Sequence, residues 1–429
     1  MLALTGGART VEAPPPHTHP VDFSPADRQA VLDFIDGPGS TTSYYGREGI
    51  LRDFEDELAA YHSRRWCVLT NSGTNALHSA YFGIGIEPGD EVLAPTYTFL
   101  ATVTPLLQLG AIPVLVDCEP DTGNIAPEDL EHRITDRTRA ITVTHQWGHP
   151  VDMDAVMDVA RLHGLAIVED VSLAVGATYH GRRTATFGDV AAFSLGSTKM
   201  ISGGQGGALV TDDREIMERA NLVGHFVRRS ADQVESSRYR PFCDTGYGHN
   251  YRMHVLAIAI ARARFHNIAE MIAARHERLT ALSAHLAGSR SLAPPVTRDH
   301  VTRGTWVGFS ASFDADAAGV SLEAYCAALA AEGLEVLGGG YHAPLHRAAF
   351  FQTRDDGFYK RREYAPGKRI YREGDFPVAE AHADRQVAFP LFLDEPLELV
   401  EAYGAAVRKV DAHLDELREW ERRERLEPV

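Results

Sequence analysis

The sequence predicts an α/β fold with a mostly parallel central sheet flanked by helices, followed by a smaller C-terminal α+β domain. Two observations carry that reading. Five short apolar runs, at 91–95, 113–117, 140–145, 165–170 and 189–195, alternate with stretches long enough to hold crossover helices, and repeated β-α units of this kind build parallel sheets covered on both faces. A Gly/Pro-rich stretch at 288–299 then precedes a fresh strand and helix, TWVGFSASF and SLEAYCAALAAEG, which marks a domain boundary. The expected division is an N-terminal arm and helix over 1–40, a large domain over 41–290 and a small domain over 291–429. At 429 residues the chain has room for two or three domains of roughly 150 residues each.

Taken in order, the start MLALTGGARTVEAPPPHTHP has no basic segment leading into an apolar core, so it reads as a partly disordered arm rather than a secretion signal. After Tyr45, Leu51, Phe54, Leu58 and Tyr61 recur at steps of three and four. This spacing predicts an amphipathic helix that leaves Arg52, Asp53, Glu55 and Asp56 for solvent. TNSGTNALHSAYFGIG follows, a Ser-Gly-Thr turn feeding a helical run with Ala76, Leu77, Ala80 and Tyr81. A turn at a helix N-terminus can hold an anion. The five strand runs come next, and in such sheets the active site lies at the carboxyl ends of the strands, which directs attention to Pro95, Asp117, His145, Asp170 and Ser194. Residues 254–286 contain neither Pro nor Gly and are rich in Ala, Leu, Ile and Arg, the composition of one long helix.

Charge and cysteines restrict the class of function. A net charge of −17 repels phosphate backbones and anionic headgroups, which argues against nucleic-acid and membrane partners. No apolar run approaches the ~18 residues that span a bilayer. The four cysteines, Cys67, Cys118, Cys243 and Cys326, form no Cys-x-x-Cys pair, so reduced thiols in the cytoplasm are expected rather than disulfides or a zinc knuckle. One local exception to the acidic balance is 354–372, with seven Lys or Arg against three Asp or Glu; it reads as a solvated loop or as a contact for a nucleotide-linked substrate.

The sharpest chemical pattern is Asp170 at the end of one strand, Ser194 at the end of the next, and Lys199 in FSLGSTKMISGGQGG. A lysine among apolar residues and glycines is poorly hydrated, so its pKa falls and its amine becomes a nucleophile able to form a Schiff base. A strand-end acid needs a cation, and a protonated pyridine nitrogen is one candidate. Gly203, Gly204, Gly206 and Gly207 would let backbone pass close to a planar ligand.

SGTNAL at 72–77, EVLAPTYTFLAT at 91–102, GAIPVLVD at 110–117, GHPVDMD at 148–154, AIVEDVSLAVGA at 166–177, GDVAAFSLGSTK at 188–199, GGQGGALVT at 203–211 and HNYRM at 249–253 together resemble the successive motifs of the DegT-type (DegT/StrS) sugar aminotransferases, which use pyridoxal 5′-phosphate (PLP) and have fold type I. The resemblance implies that Lys199 holds the cofactor and moves protons at the substrate carbon, that Asp170 keeps the pyridine nitrogen protonated, and that Phe99 stacks on the ring. It implies further that Gly73 and Thr74 cradle the phosphate with Ser194 adding a hydroxyl, and that Asn250 reaches the phosphate of a neighbouring subunit in a homodimer with shared sites. Arg252 then becomes a candidate for a substrate anion, a structural ion pair being the alternative. His342 and His346 in YHAPLH are expected to touch substrate; Pro344 between them spoils the helix that would align them on a metal, and no metal is expected.

Two positions depart from the family pattern. Leu173 stands where Gln or His is usual, and Gln205 where Glu is frequent. The implied function is transfer of an amino group from an amino acid, Glu or Gln, to a keto-sugar, nucleotide keto-sugar or keto-cyclitol in a secondary-metabolite or surface-sugar pathway. Leu173 motivates the alternative of another PLP reaction on an amino acid, elimination or carbon–carbon chemistry. A non-catalytic regulatory relative is the reading from outside enzymology, and the intact lysine and aspartate argue against it.

Overall fold

A computed structural model describes residues 1–12, 23–353 and 369–426. Seven strands form the central sheet: β1 (Trp66–Thr70), β2 (Glu91–Pro95), β3 (Ile112–Val116), β4 (Thr138–Thr144), β5 (Ala166–Asp170), β8 (Val190–Ser194) and β9 (Gly207–Thr211), in the order β1-β9-β8-β5-β4-β2-β3. Only β9 runs against its neighbours. The apolar runs form strands because helices cover both faces, leaving β2 and β3 wholly buried. Between β5 and β8 the short strands β6 (Thr178–Tyr179) and β7 (Arg182–Arg183) pair with β11 (Val301–Thr302) in a separate three-stranded sheet. The small domain is built on an antiparallel sheet, β10 (Leu292–Ala293), β12 (Phe309–Phe313), β14 (Gln386–Phe389) and β13 (Leu337–Gly338) in that spatial order.

Register places the chemistry. Thr144 pairs with Asp170, Asp170 with Ala192, Ser194 with Gly207, and Gly207 with Thr70. One edge of the sheet therefore gathers the ends of β4, β5 and β8 beside the chain that leaves β1 for the helix Gly73–Gly83.

Four expectations are corrected. The helix expected over 254–286 is two helices, Val255–His266 and Ile268–Leu286. They break at Asn267, whose side chain donates to the carbonyl of Ala263, the local competition with backbone that makes Asn a poor interior residue. The first residues are docked rather than disordered: Leu2 and Val11 are buried in the small-domain core, the Val11 N–H donates to the Glu332 carbonyl, and the Glu332 carboxylate accepts from Ala3 and Thr10. Glu55 is fully buried, accepting from Leu69 N–H, Arg47 and Arg229. Gly203 and Gly206 are needed for packing rather than for a planar ligand: an added Cβ would meet the Ala257 carbonyl at 2.4 Å or the Met253 Cε at 2.5 Å.

The basic segment 354–372 lies outside the described residues up to 368. At its end Arg369 pairs with Glu91, and the Tyr371 hydroxyl accepts from the Leu115 N–H.

Candidate active site

Asp170 ends β5 with its carboxylate buried. Oδ2 accepts from the Thr102 hydroxyl at 2.8 Å and Oδ1 from the Ser172 N–H at 3.1 Å. Thr102 belongs to a buried hydroxyl cluster, with Thr98 2.9 Å from both Thr102 and Thr144. The carboxylate is thus oriented by neutral donors and faces no paired arginine among the described residues. Behind it Glu169, on the opposite face of β5, accepts from His145 and from the N–H groups of Ala185, Phe187 and Gly188. Burial alone would raise the Glu169 carboxyl, but those bonds carry it below its ordinary value. This bracket holds the β5–β8 connection without reaching the site.

Lys199 sits in the loop after β8, its N–H bonded to the Gly196 carbonyl at 3.0 Å. Burial lowers its amine from 10.5 to about 8, with the Asp170 charge opposing that shift. A sizeable neutral fraction near physiological pH is what a nucleophilic or proton-moving amine requires.

Five observations bear on a phosphate. Ser72 caps the helix Gly73–Gly83 by accepting from the Asn75 N–H, which leaves the Gly73 and Thr74 N–H groups outside the helical ladder. Such N–H groups and the helix dipole favour an anion together. The Ser194 hydroxyl lies in the same corner, accepting from the Gly196 N–H at 3.1 Å. A Cβ on Gly73 would lie 2.8 Å from the Ser194 Cβ, and one on Gly207 2.4 Å from the Ser72 carbonyl oxygen, so only glycines let these segments close into one cradle. Phe99, expected on the ring face, is 58% exposed at the start of the turn Leu100–Thr102 instead of filling the core.

The signature of the DegT/DnrJ/EryC1/StrS aminotransferase family matches residues 40–401. The chain belongs to this family. It is 37% identical over 275 residues, 64% of this chain and 70% of the relative, to a GDP-perosamine synthase of Caulobacter vibrioides. It is 31% identical over 394 residues, 90% of each protein, to an L-glutamine:2-deoxy-scyllo-inosose aminotransferase of Streptoalloteichus tenebrarius. The solved structure of DesI in the presence of its TDP-sugar product is 25% identical with a TM-score of 0.80, covering 98% of this chain and 99% of that one. The protein is an aminotransferase with fold type I architecture.

Within this aminotransferase the remaining candidates divide. His342 lies among aromatic rings: its Nε2 is 3.1 Å from the Gln146 Nε2, and its ring packs 5.1 Å from Tyr97 and 4.9 Å from Trp147. Burial and then the nearby Lys199 charge lower its pKa to about 4. His346 is held differently. It is fully buried, with Nδ1 2.9 Å from the Thr96 hydroxyl and Nε2 2.8 Å from the Glu380 carboxylate; both ring nitrogens are spent tying the domains together, which corrects the expected substrate contact. Asn250 is exposed and accepts from the Arg252 backbone and side chain at 3.3 and 3.1 Å. The Arg252 guanidinium lies over the rings of Tyr45 and Phe226 and pairs with no carboxylate among the described residues. Asp117 receives the Val378 and Ala379 N–H groups at the start of a small-domain helix, a structural role. Leu173 is buried in one apolar cluster with Tyr97 and Trp147.

Thr98, Thr102, Thr144 and Gln146 had no role in the sequence reading. TYTFLAT held two of them in plain sight, but threonine in and beside a strand is ordinary, and only the register shows three hydroxyls clustering so that one of them, on Thr102, donates to the carboxylate.

Proposed function

We propose that this aminotransferase uses PLP and moves an amino group from L-glutamate or L-glutamine to the ketone of a sugar, a nucleotide-linked sugar or a cyclitol. The observation that carries the reading is the convergence of Lys199, the Thr102-held Asp170 and the Gly73–Ser194 cradle on one sheet edge. These residues fit the cofactor by chemistry: an amine with a lowered pKa for the aldehyde, an anion for a ring nitrogen, free N–H groups for a phosphate.

Bound there, PLP supplies an electron sink for the substrate carbon that carries nitrogen. The protein's part is positional and protonic. Gly73, Thr74 and Ser194 anchor the phosphate, Asp170 holds a proton on the ring nitrogen through a carboxylate fixed by Thr102 and Ser172, and Phe99 covers a ring face. Lys199 Nζ takes the proton from the amine-bearing carbon of the donor and returns it in the reverse sense on the acceptor. Donor product leaves before acceptor enters, so the kinetics are ping-pong.

The reading includes a homodimer in which Asn250 serves the partner's phosphate site. Its support is the exposure of Asn250 beside Tyr247, with Tyr45, Phe99 and Leu100 also exposed, and the match of HNYRM to the family motif. A cytoplasmic location accords with four unpaired cysteines. No helix among the described residues is long and apolar enough to cross a membrane.

The test is transfer of labelled nitrogen from L-glutamine or L-glutamate to scyllo-inosose and to nucleotide 4-keto-sugars, followed by mass spectrometry. An aminated product with matching keto acid supports the reading. Consumption of the amino acid with no aminated acceptor, giving an elimination or carbon–carbon product, would replace it with the alternative.

A further inference from the structure

The side of the site away from Asp170 is built from both domains. Gln146 lies just past the end of β4, where its N–H donates to the Asn124 side chain at 2.8 Å. Trp147 follows with a left-handed φ of 51°, a conformation costly for a bulky residue. It is held by the Arg303 guanidinium on its carbonyl, and its ring lies so close to Gly308 that a Cβ there would be 2.0 Å from Cε3. From the small domain comes the 339–342 loop, pinned by the Tyr341 hydroxyl donating to the Phe389 carbonyl at 2.6 Å. His342 is thereby wedged between Tyr97 and Trp147 with one nitrogen on Gln146.

That one contact couples the imidazole proton to the Gln146 amide. With the amide nitrogen facing the ring, the His342 Nε2 accepts and a neutral ring carries its hydrogen on Nδ1; the reversed amide, with its oxygen facing the ring, would put that hydrogen on Nε2. Nδ1 has no hydrogen-bond partner among the described residues. The position that is commonly polar in the family, 173, is leucine, which leaves the Gln146–His342 pair as the hydrogen-bonded polar pair of this wall, within reach of the Lys199 charge.

We propose that His342 is the specificity-determining residue of the acceptor site, donating its Nδ1–H to an oxygen of the acceptor, and that Gln146 is the positioning residue that fixes this tautomer. The inference rests on the transamination reading. The ligand class follows from the wall: Tyr97, Trp147 and Tyr341 give it an aromatic surface whose hydrogen-bonding groups, the His342 ring, the Tyr97 hydroxyl and the Trp147 Nε1, are all neutral. This suits a hydroxylated ring, whose C–H face packs on aromatics and whose oxygens accept, better than an anionic side chain.

The experiment uses the PLP-loaded enzyme and separates the two half-reactions by stopped-flow absorbance, with L-glutamine and L-glutamate as donors and scyllo-inosose and GDP-4-keto-6-deoxymannose as acceptor probes. Gln146→Leu is expected to lower the acceptor rate relative to the donor rate by about tenfold, the worth of one directed hydrogen bond. His342→Asn, which keeps a donor near the Nδ1 position, should retain more of that ratio than His342→Gln, which places its amide near Nε2. Nitrogen NMR of isotope-labelled histidine, with the His342 signal assigned by its loss in His342→Gln, should show the Nδ1–H tautomer in the wild type and a mixture in Gln146→Leu. An Nε2–H tautomer in the wild type, or an unchanged acceptor-to-donor ratio in Gln146→Leu, overturns the proposal. If neither probe reoxidises an enzyme that the donors have converted, or no donor converts it, the transamination reading fails and the proposal falls with it.

Discussion

The two walls of the site are made differently. On the wall expected to hold the cofactor every group comes from the large domain, and the side chains are already held in place: Asp170 by Thr102 and Ser172, Ser194 by Gly196, Ser72 by Asn75. On the opposite wall Tyr97, Gln146 and Trp147 meet a small-domain loop, and the Tyr97 hydroxyl, Gln146 Oε1 and Trp147 Nε1 are buried without a partner. A buried polar atom left alone costs free energy, so the first wall is a finished support and the second keeps an energetic reason to rearrange around a substrate. The lesson is a division of labour. On the proposed reading, chemistry would be fixed within the large domain and recognition assembled where the 339–342 loop meets it.

The largest effect expected is at Lys199. Lys199→Ala should lower both half-reactions on the order of 10³-fold or more, the upper range for a proton-transferring group, and abolish borohydride-stable attachment of the cofactor. A stable attachment at another lysine would break the assignment. Asp170→Asn should come next, with a loss of roughly 10²-fold from removing one partner of a buried charge pair, affecting donor and acceptor half-reactions alike because it lies on the common wall. Thr102→Val tests whether orientation of that carboxylate matters; about a tenfold loss is expected in both halves, and an unequal loss would blur the distinction between the walls.

Two further tests sharpen it. Mixing Lys199→Ala with Asn250→Ala should regenerate activity that neither parent shows, since a mixed dimer holds one site with an intact lysine and an intact asparagine; no recovery after confirmed subunit exchange would remove Asn250 from a shared site. The smallest effect concerns pH. With the Lys199 amine near 8 in the folded chain and 10.5 as its ordinary value, capture of PLP by the cofactor-free enzyme should slow about tenfold per unit below pH 8. Between about 8 and 10.5, by contrast, the unfolded chain holds a proton that the folded chain has lost, so there this residue makes stability rise with pH. A capture rate flat from pH 6 to 9, measured by absorbance, would contradict the lowered pKa.

The same contrast explains what the sequence revealed. Asp170, Ser194 and Lys199 were legible because strand ends and a lysine in a glycine-rich, apolar setting are local features, and ordered motifs gave the family. Of the sheet, five strands were read within two residues of their bounds, while β1 and β9 went unassigned, the latter because its reversed direction leaves no mark in a short apolar run. Gln146 and His342 are distant in sequence and acquire meaning only when the domains meet. His346 misled for the complementary reason: its neighbourhood in YHAPLH resembled a substrate loop, but Glu380 and Thr96, which occupy its ring, come from elsewhere. Glu55 likewise followed the solvent face of a helical pattern until Arg229, remote in the chain, supplied its partner.

The central claim, that this sheet edge carries out transamination through Lys199, is met most directly by the visible absorption spectrum of the PLP-loaded protein before and after addition of L-glutamate or L-glutamine. The account predicts a band from lysine-bound cofactor that is lost as the absorbance of the aminated cofactor appears, with one equivalent of keto acid per site. A band that persists with both donors would contradict it, as would a protein that forms no band at all.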